Sequence, residues 1–200
     1  MTIQELNAEL GNIDLYLLDQ VLKGRITKDM KILDAGCGEG RNLIYFINNE
    51  YNVYGVDQNK SAIKYLRLLA KNYQPERFVH SSLEEMIFPP EVFDYIISSA
   101  VLHFAQGHAH FDLLMQSMIK VLKPGGSLFI RMTTDIGLDC EISDTGIAHL
   151  PDGSKRYIFE MKKLSKFLKQ YGLELAEPFK SVVVHDARSM GAMVFRKNLH

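Results

Sequence analysis

The chain has 200 residues, of which 46% are hydrophobic and 24% charged, and its formal net charge is −1. This length supplies one domain with a substantial core, and the composition is that of a globular rather than a disordered protein. Nucleic-acid binders carry a basic excess, so the balance of 23 basic and 24 acidic residues disfavours RNA and DNA and favours a small-molecule partner.

Targeting and redox signals are sparse. Residues 1–11 are polar and acidic, unlike a signal peptide. No apolar stretch approaches the ~20 residues that span a bilayer. Cys37 and Cys140 are too few for a disulfide framework and lack metal-ligand spacing. We therefore expect a cytoplasmic protein with no membrane partner.

Strand and helix signals alternate along most of the chain. The predicted strands are residues 31–34, 52–57, 77–80, 93–98, 127–132, 181–185 and 192–196. The predicted helices are 12–23, 41–49, 60–70 with Asn59 as N-cap, 111–122, and 160–171 with Gly172 as C-cap. Turns are expected at 123–126 and 186–191, and residues 133–156 read as irregular. Strands alternating with helices predict βαβ units and a mainly parallel sheet.

A glycine cluster follows the first predicted strand. Gly36, Gly38 and Gly40 stand between that strand and a helix, where open α/β sheets bind ligands. Small residues let the backbone approach a ligand, and the following helix N-terminus favours an anionic group. A dinucleotide loop reads G-x-G-x-x-G, whereas here the third glycine is displaced and position 41 is arginine.

Two carboxylates end the first two predicted strands. Asp34 would face a pyrophosphate poorly, because like charges repel at short range, but it suits a ligand with an ammonium group beside its carboxylate. The methionine part of S-adenosylmethionine is such a zwitterion, with its ammonium toward Asp34 and its carboxylate toward the loop amides. Asp57 then suits the ribose hydroxyls.

Four segments carry a family resemblance. Residues 33–40 (LDAGCGEG) and 54–57 (YGVD) resemble the first two motifs of class I S-adenosylmethionine methyltransferases, and residues 93–103 and 122–128 resemble their fourth-strand and fifth-strand motifs. Residues 40–42 also resemble the tellurite-resistance methyltransferase group. The resemblance implies a doubly wound, Rossmann-like α/β fold. Its seven-stranded, mostly parallel sheet has an antiparallel C-terminal strand and helices on both faces.

The resemblance also implies where the cofactor lies. The adenine is expected near Ser82 and Leu83, although the family commonly has an acidic residue where Ser82 stands. Ser98 and Ser99 are expected to face the sulfur, and the backbone amide of Cys37 to serve the cofactor. The predicted cofactor-binding residues are Asp34, Gly36, Cys37, Gly38, Gly40, Asn42, Asp57, Gln58, Ser82, Leu83, Ser98 and Ser99.

Methyl transfer by in-line displacement depends mainly on positioning and on excluding water. A general base is needed only where the acceptor is protonated. The candidates for a catalytic role are His103, Arg131 and Tyr157. We expect the N-terminal segment 1–30, which contains Tyr16, and the irregular insert 133–158 to close over the pocket of a single domain spanning 1–200.

Two further sets of residues, three histidines and three arginines, could bind a metal ion or an anion. His103, His108 and His110 lack a complete ligand pattern, so no metal site is expected. Arg131, Arg156 and Arg188 could together form an anion-recognising surface, since arginine binds oxyanions in a fork.

We therefore expect an S-adenosylmethionine-dependent methyltransferase (EC 2.1.1.-) with a small-molecule acceptor, and we leave a homodimer open. Residues 98–101 lack the Asn/Asp-Pro-Pro-aromatic signature of enzymes that methylate adenine or glutamine amides. Two alternatives stay open. One is a nicotinamide-dependent oxidoreductase, which Asp34 and the glycine spacing oppose, and the other is a non-catalytic cofactor-binding module that acts through a protein partner.

Overall fold

Five apolar segments form the parallel part of a mixed sheet. The computed structural model describes residues 1–185 and 187–199. The parallel strands lie in the order β3-β2-β1-β4-β5, which confirms the predicted doubly wound topology. Their bounds are β1 (Lys31–Ala35), β2 (Asn52–Asp57), β3 (Phe78–His80), β4 (Phe93–Ser99) and β5 (Leu122–Thr133).

The sheet ends in antiparallel strands. β10 (Arg188–Lys197) pairs with β5 on one side, and β8 (Leu173–Leu175) and β9 (Lys180–Val184) share its other edge. The sheet thus has eight strands rather than the seven expected. Pro178, which has no N–H to give to a ladder, lies between β8 and β9. Of the turn expected at residues 186–191, Asp186 lies outside the described residues, and residues 188–191 belong to β10.

Helices cover both faces of the sheet because side chains alternate along each strand. Leu33 and Ile96 pack with α5 and α6 in one core cluster, whereas Ile32 and Ile97 pack with α2, α3 and α4 in the other. The helices are α1 (Ile3–Leu10), α2 (Leu15–Leu22), α3 (Ile44–Asn48), α4 (Lys60–Leu69), α5 (His108–Val121) and α6 (Leu164–Tyr171), with 3₁₀ turns at Pro75–Arg77, Leu102–Phe104 and Met161–Lys163. No helix in the described part of the chain is long and apolar enough to cross a membrane.

The expected turn at residues 123–126 is instead part of β5. Phe93 pairs with Leu122, but Tyr95 pairs with Ser127, so β5 carries extra residues that bulge out of the ladder. Gly125 takes a φ of 74° within this bulge. Proline and glycine therefore mark an irregularity inside a strand here, not its boundary.

The insert that reads as irregular contains a hairpin. β6 (Ile147–His149) pairs antiparallel with β7 (Lys155–Tyr157). Ala148, Leu150 and Ile158 form a small core of their own beneath it. Strands of three residues are too short for an alternating pattern to stand out, so the sequence did not indicate them.

Hydrogen bonds attach helix α2 to the antiparallel end of the sheet, between β8 and β9. Asp14 caps α2 by accepting hydrogen bonds from the amides of Tyr16 and Leu17. At the other end of α2, Glu177 accepts from Lys23 at 2.8 Å, and also from Arg25 and Lys180. Burial raises the pKa of Glu177, but hydrogen bonds from Lys180 and Lys23 outweigh it and lower that pKa to about 2.

Candidate cofactor and acceptor site

A cleft of about 310 Å³ opens at the carboxyl ends of β1, β2 and β4, which is where α/β sheets of this topology bind ligands. Five of the residues predicted to bind the cofactor line it, namely Gly36, Asp57, Gln58, Ser82 and Leu83. The rest of the lining is Glu84, Ala100, Val101, Phe104, Gln106, His110 and Leu114.

The glycine loop has a backbone that side chains would obstruct. Gly36 and Gly40 have φ values of 85° and 86°, in the left-handed region. A Cβ on Gly36 would overlap Val101, and one on Gly40 would overlap Leu66. Gly38 faces open space, with nothing within 4 Å of an added Cβ. The loop therefore packs tightly on its protein side and stays open on its cleft side.

Asp57 ties this loop to the end of β2. Its two carboxylate oxygens accept hydrogen bonds from the amides of Gly38 at 2.8 Å and Asn59 at 2.7 Å. A carboxylate offers about four lone-pair sites, so Asp57 can still accept from two hydroxyls of a ligand.

Cys37 does not offer its amide to the cleft, contrary to expectation. Its N–H donates to the Val56 carbonyl at 3.0 Å, because the loop turns back on β2. Its thiol is buried close to Gly55, and burial raises the pKa of the thiol. Cys37 therefore serves as a small packing residue.

Asp34 carries an unpartnered oxygen in the protein interior. The residue is 1% exposed at the end of β1, and its Oδ2 has no hydrogen-bond partner in the structure. Burial raises the pKa of this carboxyl to about 7, with Asp57 adding to the rise and Arg41 opposing it. Ser98, at the end of β4, also has a buried hydroxyl without a partner. Both groups fit a polar ligand that brings its own donors.

Comparison with known protein families places this segment of the chain in a family. A family profile described as "Methyltransferase domain" matches residues 33–130, which run from β1 through the glycine loop to β5. Over residues 33–130 the chain thus matches the methyltransferase domain family and is similar to the class I S-adenosylmethionine-dependent methyltransferases. The match covers the glycine loop, Asp57, strand β4 and most of strand β5, which contain the motifs that carried the resemblance.

Individual relatives agree with this family. The chain is 32% identical over 128 residues to the mitochondrial ubiquinone biosynthesis O-methyltransferase of Mus musculus, a match that covers 58% of this chain and 34% of that protein. It is 26% identical over 171 residues to the uncharacterized methyltransferase YodH of Bacillus subtilis, covering 78% of this chain and 64% of that protein. The chain thus spans about a third and just under two thirds of the lengths of these two relatives.

A solved structure shares the fold. The 1,6-didemethyltoxoflavin-N1-methyltransferase of Burkholderia thailandensis, solved with 1,6-didemethyltoxoflavin and S-adenosylhomocysteine, matches with a TM-score of 0.72 at 18% identity. The match covers 98% of this chain and 82% of that chain. These comparisons do not support the alternatives of a nicotinamide oxidoreductase or a non-catalytic cofactor-binding module.

Arg41, to which the sequence analysis gave no role, makes hydrogen bonds beside the glycine loop. The Arg41 guanidinium donates to the Asn12 carbonyl at 2.9 Å and to the Ser99 hydroxyl at 3.3 Å. Asn42, expected to bind the cofactor, instead accepts the amide of Asp14 through its Oδ1 at 3.0 Å. Both side chains join the glycine loop to the start of α2. The sequence did offer one signal, because an arginine stands directly after Gly40, the last glycine of the loop.

An acidic residue does line the cleft, two residues beyond Ser82. Glu84 accepts a hydrogen bond at 2.7 Å from Nε2 of His110, whose Nδ1 accepts the Gln106 amide. Because Nδ1 is an acceptor there, Nε2 carries the ring proton. Burial raises the pKa of Glu84, but hydrogen bonds, including those from its own backbone, His110 and Ser82, lower it overall. Sequence reasoning considered only position 82 and so missed this residue.

A second cavity, of about 360 Å³, adjoins the first under the hairpin. Phe104 and Gln106 line both cavities. His103 and Tyr157, two of the predicted catalytic residues, line the second one. Its other lining residues are Ala105, Ile147 and Lys155.

The third catalytic candidate, Arg131, lines neither cavity. It pairs with Asp14 at 3.1 Å, donates to the Met190 carbonyl and lies over the Tyr16 ring. Arg131, Arg156 and Arg188 therefore do not form the predicted anion-recognising surface together, because Arg131 forms an ion pair with Asp14 of the N-terminal segment. A partner 117 residues away in the chain leaves no local sequence signal.

Two further histidines beside the cavities, His108 and His110, have hydrogen-bond partners. His108 Nδ1 lies 2.9 Å from the Tyr157 hydroxyl, and His110 contacts Glu84. Within residues 1–185 and 187–199, no group of three or more His, Cys, Asp or Glu side chains is arranged to hold a metal ion.

Proposed function

We propose that this protein transfers a methyl group from S-adenosylmethionine to a small-molecule acceptor, an activity of class EC 2.1.1.-. The observation that carries the proposal is the buried Asp34 carboxylate, whose Oδ2 lacks a partner beside an open glycine loop. An unpaired buried carboxylate is costly, and a ligand ammonium would relieve that cost.

In this proposal, different residues contact different parts of the cofactor. Asp34 holds the ammonium, and Asp57 accepts hydrogen bonds from the ribose hydroxyls. Ser82, Leu83 and Glu84 border the adenine. Ser98 and Ser99, at the end of β4, stand on the sulfur side. When bound, the cofactor supplies an electrophilic methyl group on a sulfonium sulfur.

Two segments cover the site in this proposal. Residues 1–30 close over the glycine loop through Asp14 and Arg41, and residues 133–158 cover the acceptor cavity. The mouse relative is an O-methyltransferase and the Burkholderia protein an N1-methyltransferase, so their names leave the acceptor atom open. A cytoplasmic location and a homodimer stay predictions.

Calorimetric titration tests the cofactor. S-adenosylmethionine, S-adenosylhomocysteine and NAD are titrated into wild type, Asp57→Ala and Asp34→Asn, with the exposed Asp29→Ala as a matched control. We expect the two sulfur ligands to bind wild type and Asp29→Ala, both to lose affinity in the two cleft variants, and NAD not to bind. Binding of NAD alone, or equal binding by all four proteins, would contradict the proposal.

A further inference from the structure

The cavity under the hairpin has features that select the acceptor, provided that the proposed methyl transfer holds. It shares Phe104 and Gln106 with the cofactor cleft, so the two spaces meet at these side chains. Its volume of about 360 Å³ is that of a small-ligand pocket. Strand β7 forms its roof, and the 3₁₀ turn Leu102–Phe104 forms its floor.

His103 places an uncharged imidazole in this floor. The residue is 6% exposed, and burial, followed by the charge of Arg156, lowers its pKa to about 4. Its Nδ1 lies 3.4 Å from the Thr133 hydroxyl, and its ring packs edge-on against Phe104. Nε2 makes no hydrogen bond within the part of the chain that the structure describes. The ring is therefore neutral at neutral pH, and because the Thr133 hydroxyl donates to Met190 Sδ and can accept from Nδ1–H, the free lone pair of the ring lies on Nε2.

The roof of the cavity is cationic. Lys155 lines it, and the Arg156 guanidinium lies 4.8 Å from the centre of the exposed Phe104 ring. Asp152 is the acid in the hairpin turn, and Arg156 and Arg188 both act on it. Lys155 lines the cavity and Arg156 lies over Phe104 at its edge, and these two positive charges disfavour an ammonium acceptor and favour a carboxylate or phosphate.

Aromatic surfaces complete the cavity. The Tyr157 hydroxyl is already bonded to His108, which leaves mainly the ring edge of Tyr157 to line the space. Phe104 is 60% exposed, a large value for an aromatic ring in a domain of this size. Flat rings prefer to lie against such surfaces, and an arginine beside one can hold an acid at the same time.

We propose that the acceptor is an aromatic acid with a ring hydroxyl, bound under the hairpin with its acid at Arg156 and its hydroxyl at His103. The ring oxygen bonds to the methyl carbon as the carbon–sulfur bond breaks and its electron pair stays on sulfur, while the hydroxyl proton passes to Nε2 of His103. The positive charge moves from the sulfonium to the imidazolium, so the net charge of the site does not change. An acceptor that is already ionised would need no such base.

Three ligands with one ring test the charge requirement. The probes are 3,4-dihydroxyphenylacetate, its methyl ester and dopamine, each titrated calorimetrically into protein saturated with S-adenosylhomocysteine. We expect the acid to bind about tenfold or more tighter than the ester, because the ester cannot accept the charge-assisted hydrogen bond from Arg156. Dopamine should bind most weakly, because its ammonium group is repelled by the same arginine. Arg156→Gln should abolish the preference for the acid. Arg196→Gln, a matched change on β10, should preserve it.

A second measurement tests the base. His103→Gln should bind S-adenosylhomocysteine and the acid within about threefold of wild type, yet methylate the ring hydroxyl about 100-fold more slowly, the usual effect of a lost general base. In ¹⁵N spectra of wild type, the His103 imidazole should stay neutral down to about pH 5 and shift when the acid binds.

The outcomes separate the two proposals. If S-adenosylhomocysteine binds but the acid is not preferred, or if Arg156→Gln leaves the preference intact, this inference is wrong while the proposed function stands. Unchanged methylation by His103→Gln would also overturn it. If S-adenosylhomocysteine does not bind wild type, the proposed function itself fails.

Discussion

Asp34 sits in the core with one carboxylate oxygen that no protein group satisfies. Its position at the end of β1 places that oxygen beside the glycine loop, and burial makes the charged form costly. The same carboxylate that opposes folding of the empty protein is available to bind a cation. This conflict between stability and binding leads to two predictions at the residue scale.

Cofactor affinity should fall in acid. The pKa of Asp34 is about 7 in the empty cleft, and a bound ammonium group favours the ionised form. Affinity for S-adenosylhomocysteine should therefore be constant above pH 7 and decline up to about tenfold per pH unit below it. Titrations at pH 6 in buffers of different ionisation enthalpy should show about one proton released per ligand bound. An affinity independent of pH between 5 and 8 would contradict this role of Asp34.

Asp34→Asn should stabilise the empty protein. The folded-state pKa of about 7 exceeds the ordinary value of 3.8 for an aspartate, so folding is opposed increasingly as pH rises from 4 to 7 and by a constant amount above. The free energy of unfolding of Asp34→Asn should exceed that of wild type by up to about 4 kcal/mol at pH 8, and the gain should vanish near pH 4. Urea unfolding at both pH values measures it, and a gain independent of pH would show a different cause.

Residue type and strand position were enough to predict some site residues but not others. The positions of Asp34 and Asp57 beside the glycine loop agree with the sequence analysis because each lies at the end of a strand with a clear pattern. The amide of Cys37 and the side chain of Arg131 could not, because their partners, Val56 and Asp14, come from other elements. Tertiary hydrogen bonds of this kind leave no local pattern.

At the scale of elements, the backbone of the glycine loop packs against Val101, the residue before the 3₁₀ turn Leu102–Phe104. Gly36→Ala should lower both stability and cofactor affinity, since the new methyl would overlap Val101 in addition to straining a φ of 85°. Gly24 has a φ of 66° but nothing within 4 Å of an added Cβ, so Gly24→Ala isolates the strain.

We expect Gly36→Ala to cost about 1–3 kcal/mol more than Gly24→Ala in urea unfolding, which is the typical penalty of overpacking. Only Gly36→Ala should weaken binding of S-adenosylhomocysteine. Equal costs for the two variants would show that Val101 moves aside without penalty.

Helix α2 offers a second test. Asp14 caps it and pairs with Arg131, so Asp14→Ala should remove both interactions whereas Asp14→Asn retains a capping oxygen and loses only the ion pair. We expect a loss of about 1–2 kcal/mol for Asp14→Ala and a smaller loss for Asp14→Asn. Hydrogen exchange of the amides in α2 measures it. Faster exchange confined to other helices would contradict this assignment.

Elements with local signals were predicted better than those formed by distant contacts. Strand β2 and helix α4 agree with the sequence because an alternating run and the Asn59 cap mark their ends. The hairpin β6–β7 was missed because three-residue strands depend on pairing and on a small core beneath them. The 123–126 segment was misassigned because the same residues that end strands also form bulges.

At the scale of the whole molecule, we predict that two separate segments cover one site. Residues 1–30 reach the glycine loop, and the insert 133–158 reaches the adjoining cavity. Saturation with S-adenosylhomocysteine should slow hydrogen exchange in both segments and raise the unfolding temperature with ligand concentration. The helix α6, which lines neither cavity, provides the internal reference. Protection confined to the glycine loop would show that these segments do not close.

The attachment of α2 to Glu177 and Lys180 has a consequence for biosynthesis. Lys23 leaves the ribosome 154 residues before its partner Glu177, and Arg131 contacts Met190 near the start of β10. Long sequence separations delay such contacts, so the carboxyl end of α2 stays unattached until Glu177 and Lys180 have been translated. The nascent protein therefore anchors this end of α2 only as β8 and β9 emerge, and a chain that stalls earlier lacks these hydrogen bonds.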